Sequence, residues 1–124
     1  MKLRNQEIWL AYSNLAKVWK LDLPAKTSLD ISYILSKLQT PYLVIENERK
    51  KLIRKYGVLH PDGKQISVDP GSENEGDYSR EFAEVLVSEW PDEFEFEKVK
   101  VQSSIIDANT LLPLREKILE VEEV

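Results

Sequence analysis

The chain has 124 residues, of which 42% are apolar and 31% charged, and its formal net charge is −5. This length suits one domain with its own apolar core. The absence of cysteine excludes a disulfide framework and a thiolate zinc site, and no apolar run approaches the roughly 20 residues that span a bilayer. We therefore expect a cytoplasmic protein with no membrane-spanning segment.

The charges are divided unevenly between the two halves of the chain. Residues 1–57 carry 11 Lys/Arg and 5 Asp/Glu, a balance of +6, whereas residues 58–124 carry 6 Lys/Arg and 17 Asp/Glu, a balance of −11. Such a division can mark two separate binding surfaces. It can also mean that the halves attract each other within the fold or across a dimer, which is the interpretation that we favour.

The first helix is predicted to begin at Asn5, whose side chain can cap a free backbone N–H. Pro24 interrupts the helical pattern and suits the first turn of a second helix, although Thr27 and Asp30 offer a rival start as a capping box. The apolar face of the first helix recurs at three- and four-residue steps and comprises Ile8, Trp9, Tyr12, Leu15, Ala16 and Trp19.

The second helix has the strongest pattern in the chain and ends at Gly57. Pro41 lies within the pattern and should either kink the helix or divide it in two. Arg49 lies in the apolar stripe, where its stem can pack while its guanidinium reaches solvent or an acid. Because few residues connect the two helices, we expect a long antiparallel helical hairpin over about residues 5–57. The stripe is heptad-like and comprises Ile31, Leu38, Tyr42, Ile45, Arg49, Leu52 and Tyr56, widened by Ile34, Leu35 and Ile53.

Turn-forming residues dominate the next part of the chain. Pro61-Asp62-Gly63 separates two short apolar runs within residues 58–68, a pattern that predicts a β-hairpin. Residues 69–77 are polar and rich in turn formers, so we expect a mobile loop there. A third helix is predicted from about Tyr78 to Trp90, with Asp77 as its cap.

The last part of the chain predicts a strand and a short helix. Apolar and charged residues alternate between Asp92 and Gln102, and a bulge near Glu97-Lys98 would reconcile a change of phase. A terminal helix is predicted from about Thr110 to Val121. Together the elements predict one mainly helical α+β domain over residues 1–124, in which the long antiparallel helical hairpin packs with the third helix and a small antiparallel β-sheet.

Two charged clusters are candidate partner-binding surfaces. The basic stretch at the end of the second helix could follow a phosphate backbone, but the acidic balance of the remaining chain argues against nucleic acid as the partner. The acidic side of the predicted strand, with Trp90 as an aromatic anchor, suits a protein partner. The candidate residues are Arg49, Lys50, Lys51, Arg54, Lys55, Trp90, Glu93, Glu95 and Glu97.

Catalytic and metal-binding chemistry finds little support in the sequence. A general base needs an orienting acid and a nucleophile beside it, and Asp62, the acid nearest to the single histidine His60, belongs to a turn. Glu93, Glu95 and Glu97 would lie along one strand face and would not converge on a cation. We therefore predict no catalytic residue, no metal site and no cofactor.

Several segments occur in an order that is familiar from one family. Residues 23–32 contain a Leu-Pro-Ala-Lys-Thr step, and the second helix ends in Lys-Leu-Ile-Arg-Lys-Tyr-Gly at residues 51–57. A polar loop, a helix containing Glu81-Phe82, an acidic strand and a Leu-Leu-Pro-Leu segment follow. Over most of its length the chain resembles an uncharacterised family of small proteins encoded by bacteriophages and prophages. The resemblance implies a phage origin, and it brings no agreed activity or catalytic residues.

The sequence predicts a non-enzymatic protein-interaction module of phage type that binds a host or viral protein as an inhibitor or adaptor. The first alternative is a virion structural or assembly role, as a tail or head-completion protein or an assembly chaperone. The second alternative is a nucleic-acid-binding accessory protein. The 31–56 helix could also pair with its own copy in a homo-oligomer. The expected location is the cytoplasm of the infected bacterial host, or the virion under the structural alternative.

Overall fold

Two long helices form the frame of the molecule. The computed structural model describes residues 1–102, 106–115 and 117–122. Helices α1 (Asn5–Trp19) and α2 (Ala25–Tyr56) are followed by the short strands β1 (Val58–Leu59) and β2 (Ile66–Ser67) and by helix α3 (Glu73–Val87). Strand β3 (Val99–Gln102), helix α4 (Ala108–Leu111) and strand β4 (Leu119–Glu122) complete the chain. The predicted mainly helical α+β class is confirmed.

Helices α1 and α2 pack antiparallel along their apolar faces. Tyr12 stacks on Tyr42 with ring centroids 4.3 Å apart, and the indole nitrogen of Trp9 donates to Glu46 Oε1 at 3.2 Å, so residue numbers rise along one helix as they fall along the other. Each fully buried Leu, Ile or Val contributes about 1.5–3 kcal/mol of hydrophobic stabilisation. The buried residues of this interface are Ile8, Ala11, Leu15, Val18, Ile31, Ile34, Leu38 and Ile45.

Helix α2 is a single continuous helix of 32 residues. It begins directly after Pro24, whose carbonyl accepts from the Ser28 N–H at 2.9 Å, so the rival start at Thr27 is wrong. Pro41 is buried inside the helix and does not divide it in two. Because proline has no backbone N–H, the helix lacks one hydrogen bond at this point, and packing of the surrounding apolar face holds the helix together there.

The predicted heptad-like stripe of α2 lies inside the monomer. Ile31, Leu38 and Ile45 are completely or almost completely buried, and Tyr42 and Leu52 pack against the same core. The stripe closes the core of one chain, so pairing of α2 with its own copy would have to use the opposite face of the helix.

The start of α1 differs from the prediction at its cap. Arg4 occupies the cap position and its backbone N–H donates to the Glu7 carboxylate at 2.9 Å. Asn5, the predicted cap, lies in the first turn and donates from Nδ2 to the Val85 carbonyl at 2.9 Å. Trp19 lies largely exposed at the far end of the helix, so its placement on the buried face is wrong.

Residues 1–5 run alongside residues 88–94 and hold them in place. The Asn5 N–H donates to the Ser88 carbonyl at 2.8 Å, Trp90 N–H to Leu3 carbonyl at 2.9 Å, and Phe94 N–H to Met1 carbonyl at 2.9 Å. The Leu3 side chain is buried in the core. Residues 91–98 have no regular helical or strand structure of their own, and these contacts fix the part of that stretch up to Phe94.

The predicted β-hairpin is confirmed, with shorter strands than expected. Strands β1 and β2 pair antiparallel, with Val58 opposite Ser67 and Leu59 opposite Ile66. The Asp62 carboxylate accepts from the Lys64 N–H at 2.9 Å, which stabilises the turn. Gly63 has φ +71°, a left-handed conformation that favours glycine.

Helix α3 begins four residues before the predicted cap, inside the segment expected to be a loop. Ser72 caps it, since its side-chain oxygen accepts from the Glu75 N–H at 3.1 Å, while the Glu75 carboxylate accepts from the Gly71 N–H. The predicted cap Asp77 therefore lies within the helix. The helix ends at Val87, which leaves Trp90 beyond it.

The C-terminal part departs furthest from the prediction. Residues 92–98 belong to no strand, so neither the long strand nor its bulge forms. Strands β3 and β4 pair in parallel, with Val99 opposite Leu119, and they add a parallel pair to the antiparallel hairpin. The predicted terminal helix is wrong: α4 is short and Asp107 caps it. Leu119 is buried in β4. Burial alternates along this strand, with Leu119 and Val121 more buried than Glu120 and Glu122, as expected for a strand and not for a helix.

Ion pairs join the basic and acidic halves within the monomer. Lys55 Nζ lies 3.4 Å from Glu81 Oε2, and Lys117 Nζ lies 2.7 Å from Glu7 Oε2. Within the residues that the structure describes, no helix is both long and apolar enough to cross a membrane.

Substitution of Leu38 by alanine should lower the free energy of unfolding by about 2–5 kcal/mol, because the Leu38 side chain is fully buried and its loss leaves a cavity. The matched control is Leu29→Ala on the same helix, where the side chain is 65% exposed, and we expect a change within about 0.5 kcal/mol. Denaturant unfolding of both variants measures the difference. Equal losses would show that α2 does not bury the face described.

Alanine at Gly57 and at Gly76 should change stability in opposite directions. A Cβ at Gly57 would contact the Ile53 carbonyl and lie 2.6 Å from Ile66 Cγ2, so Gly57→Ala should destabilise the protein by about 1–3 kcal/mol. A Cβ at Gly76, inside α3, meets nothing within 4 Å, and alanine there should stabilise by about 0.5–1 kcal/mol. Thermal and denaturant unfolding measure both effects. Stabilisation by both variants would rule out the close approach of β2 to Gly57.

Candidate functional site

A channel runs between the outer flank of α2 and residues 90–99. It consists of two adjoining grooves that share Tyr33: the first, of about 420 Å³, lies beside residues 90–95, and the second, of about 220 Å³, lies beside residues 96–99. Tyr33, Lys37 and Pro41 belong to the wall formed by α2. We refer to the two grooves together as the channel.

Alternation of side chains explains how residues 92–98 form the second wall. Phe94 is only 7% exposed and Phe96 packs against the core, with their ring centroids 6.5 Å apart. Glu93, Glu95 and Glu97 alternate with the two phenylalanines along the chain and are exposed. An extended backbone directs successive side chains to opposite sides, so burial of the two rings turns the three carboxylates outward.

The channel combines exposed aromatic rings with carboxylates. Tyr33 is 51% exposed, and Lys37 Nζ lies 5.3 Å from the centre of its ring. Trp90 is half-buried and borders the first groove. Rings with one covered and one open side can offer large contact area to a partner at little cost in conformational entropy.

The carboxylates of the channel have no ion-pair partner among the described residues. This applies to Asp92, Glu93, Glu95 and Glu97, all of which are exposed. By contrast, Asp30 in the second groove is paired with Lys26 at 2.6 Å. The first groove therefore has three free carboxylates against the single cation of Lys37, which gives it a negative balance.

The structure unites one group of predicted binding residues and separates the other. Trp90, Glu93 and Glu95 lie in the first groove and Glu97 in the second. The sequence did not indicate that Tyr33 and Asp92 join them. The only signal for Tyr33 is an aromatic residue that lies off the apolar stripe of its own helix.

The predicted basic cluster does not form one patch. Lys50, Lys51 and Arg54 lie on the outer face at the end of α2, where Lys51 Nζ is 3.6 Å from Glu48 Oε1. Lys55 points to α3, pairs with Glu81 and lies 5.0 Å from the centre of the Tyr56 ring. Its ammonium is therefore directed to contacts within the fold, and three cations remain on the outer face.

Arg49, the fifth predicted basic residue, belongs to a polar cluster within the fold. Its Nε donates to Glu46 Oε1 at 2.6 Å and its second terminal nitrogen donates to Oε2 at 3.0 Å. Trp9 donates to the same carboxylate. The hydrogen bonds from Arg49 are the main cause that lowers the pKa of Glu46 below its ordinary value, and the cluster connects α1 with α2 rather than facing a partner.

His60 lies in the exposed hairpin, with Nε2 2.5 Å from Ser67 Oγ on the opposite strand. This contact joins the two ends of the hairpin turn. Among the residues described, no group of three or more His, Cys, Asp or Glu side chains is arranged to hold a metal ion.

Replacement of Glu46 by glutamine should lower the free energy of unfolding at neutral pH by about 1–3 kcal/mol, because Arg49 loses a bidentate, partly buried partner. The folded-state pKa of Glu46 lies below its value in the unfolded chain. Its contribution is therefore complete above the ordinary glutamate pKa of 4.5 and is lost as the pH falls through the folded-state pKa.

Denaturant unfolding between neutral and acidic pH should show the difference between the wild-type protein and Glu46→Gln shrinking below about pH 4.5. The matched control is Glu48→Gln, since Glu48 is more exposed and its contact with Lys51 is longer. We expect that control to change stability by less than about 0.5 kcal/mol. A pH-independent difference for Glu46→Gln would contradict an ionised Glu46 as the source of the stabilisation.

No protein-family model, curated protein or solved structure matches this chain. The interpretation of the channel therefore depends on its own geometry and chemistry.

Proposed function

We propose that this chain is a non-enzymatic protein-interaction module that binds a host or bacteriophage protein in the channel. The observation that carries the proposal is the exposed aromatic and acidic lining of that channel. Trp90, Glu93 and Glu95 meet Tyr33 there, although they are separated from it by more than fifty positions in the sequence.

Aromatic side chains that are rigid and partly exposed are typical anchors of protein interfaces. Residues 1–5 hold the 88–94 stretch by backbone hydrogen bonds, and Tyr33 stands on a long helix that is packed along its other side. The α2 wall and the 88–94 part of the other wall are therefore held by contacts within the fold before a partner arrives. Such a fixed surface binds with a smaller loss of conformational entropy than a loop that must first become ordered.

The outer face at the end of α2 supports a second candidate surface. Lys50, Lys51 and Arg54 line a groove of about 370 Å³, and this arrangement favours an acidic partner or nucleic acid. A structural role in the virion could use either the channel or this basic face. We favour the channel as the binding surface because it has exposed aromatic side chains as well as charged ones, whereas the basic face is lined mainly by charged side chains.

Capture from bacterial lysate, with and without phage infection, tests the proposal. Tyr33→Ala should abolish capture of the specific partner, because it removes an exposed ring from the wall shared by both grooves. Leu29→Ala, which removes an exposed side chain one turn earlier on α2, should leave capture unchanged. With the purified partner, we expect Tyr33→Ala to raise the Kd at least about tenfold.

A third variant, Lys50→Glu/Lys51→Glu/Arg54→Glu, separates the two surfaces. Loss of the partner in this variant alone would transfer the function to the outer face of α2 and overturn the assignment to the channel. Equal capture by all variants, or no specific partner from either lysate, would refute the proposed function.

A further inference from the structure

Residues 92–98 have the side-chain pattern of a strand without a neighbouring strand. Phe94 and Phe96 pack inward while Glu93, Glu95 and Glu97 remain exposed. Among the described residues, no backbone N–H or carbonyl of residues 95–98 has a hydrogen-bond partner. The same stretch leads directly into β3, which does pair with β4. An extended backbone with free polar groups is a template for another strand.

The channel beside this stretch has the length of a short strand. Its α2 wall runs from Lys26 to Pro41, which is about 22 Å at the rise of an α-helix. Residues 92–98 in extended form span about 23 Å. The two walls therefore enclose room for an extended segment of about seven residues.

The negative charge of the channel favours a positively charged segment. Asp92, Glu93, Glu95 and Glu97 outnumber the unpaired cations of the lining, Lys37 and Lys98. On one face of paired strands, side chains lie directly opposite each other at about 5 Å, and opposite charges there are favourable. Basic residues at alternate positions of an added strand would face the glutamates.

We propose that the channel binds an extended, basic segment of the partner protein, which joins residues 92–98 as an added β-strand. The partner backbone supplies hydrogen bonds to the free groups on one edge of residues 95–98, at alternate residues, and its alternate Lys or Arg side chains pair with the three glutamates. This inference rests on the proposed function, because it specifies the partner of the same channel.

Capped peptides of about seven residues test the inference by fluorescence anisotropy with the full chain. A peptide of alternating Lys and Val should bind at least about tenfold tighter than its Glu and Val counterpart. Two N-methylated versions of the basic peptide distinguish strand addition from charge attraction: one is methylated at its odd-numbered backbone amides and the other at its even-numbered amides. In a strand these two groups of amides point to opposite edges, and only one edge can pair with residues 95–98. Methylation of the amides on that edge should abolish binding, and methylation of the amides on the other edge should not.

Two charge variants locate the binding. Glu93→Gln/Glu95→Gln/Glu97→Gln should weaken binding of the basic peptide about tenfold. The matched control Glu73→Gln/Glu84→Gln/Glu120→Gln makes the same change of net charge at exposed positions outside the channel, and it should bind like the wild-type protein. Amide hydrogen exchange at residues 95–98 should slow when the basic peptide is bound.

Several outcomes would overturn the inference. These are equal binding of both methylated peptides, equal weakening by the two triple variants, and no binding of the basic peptide. A dimer of this chain that the peptide does not displace would assign the channel to a second copy instead. If the basic peptide fails while a captured partner still depends on Tyr33, only the inference about the partner's chemistry fails. If neither binds, the proposed function fails as well.

Discussion

The structure depends on the burial of one face of a single long helix. Helix α2 packs Ile31, Ile34, Leu38 and Ile45 against α1 and the C-terminal segments, and this contact has to outweigh the conformational entropy of 32 ordered residues. Local propensity alone would not keep such a helix continuous through Pro41. The flank of α2 beside this buried face forms one wall of the channel.

Polar contacts determine where the other elements lie along this helix. The Glu46 carboxylate accepts from both Trp9 and Arg49, so it fixes the position of α1 along α2. Such a paired and hydrogen-bonded charge adds specificity to an interface whose apolar side chains could slide by one turn. Lys55 and Glu81 connect the end of α2 with α3, where partial exposure makes the contribution to stability small.

The channel follows from the same arrangement. Residues 1–5 hold residues 88–94 against the core by backbone hydrogen bonds, and burial of Phe94 leaves its acidic neighbours exposed in the lining of the channel. Residues 92–98 need no helix or strand hydrogen bonds to lie here, because Phe94 and Phe96 pack against the core and the N-terminal segment bonds to the backbone of Phe94. The carboxylates remain exposed to solvent in the channel lining.

The sequence is sufficient to predict the helices with strong periodicity, the hairpin around Pro61-Asp62-Gly63 and the alternation of Phe and Glu. These features depend on local repeats and turn chemistry, which a linear pattern contains. It also indicates Trp90, Glu93, Glu95 and Glu97 as candidate site residues, because three alternating acids lie close to an aromatic residue in the sequence.

Only the tertiary contacts show which of the charged and aromatic side chains are engaged within the fold and which are left exposed. Arg49 and Lys55 resemble free surface cations in the sequence, yet Glu46 of the same helix pairs with Arg49 and Glu81 of a neighbouring helix pairs with Lys55. Tyr33 joins Trp90 only because the chain returns along α2, a contact that no local pattern encodes. Likewise, a strand needs a neighbour as well as a pattern, so Val99–Gln102 became a strand beside Leu119–Glu122 while residues 92–98, with the same alternation, did not.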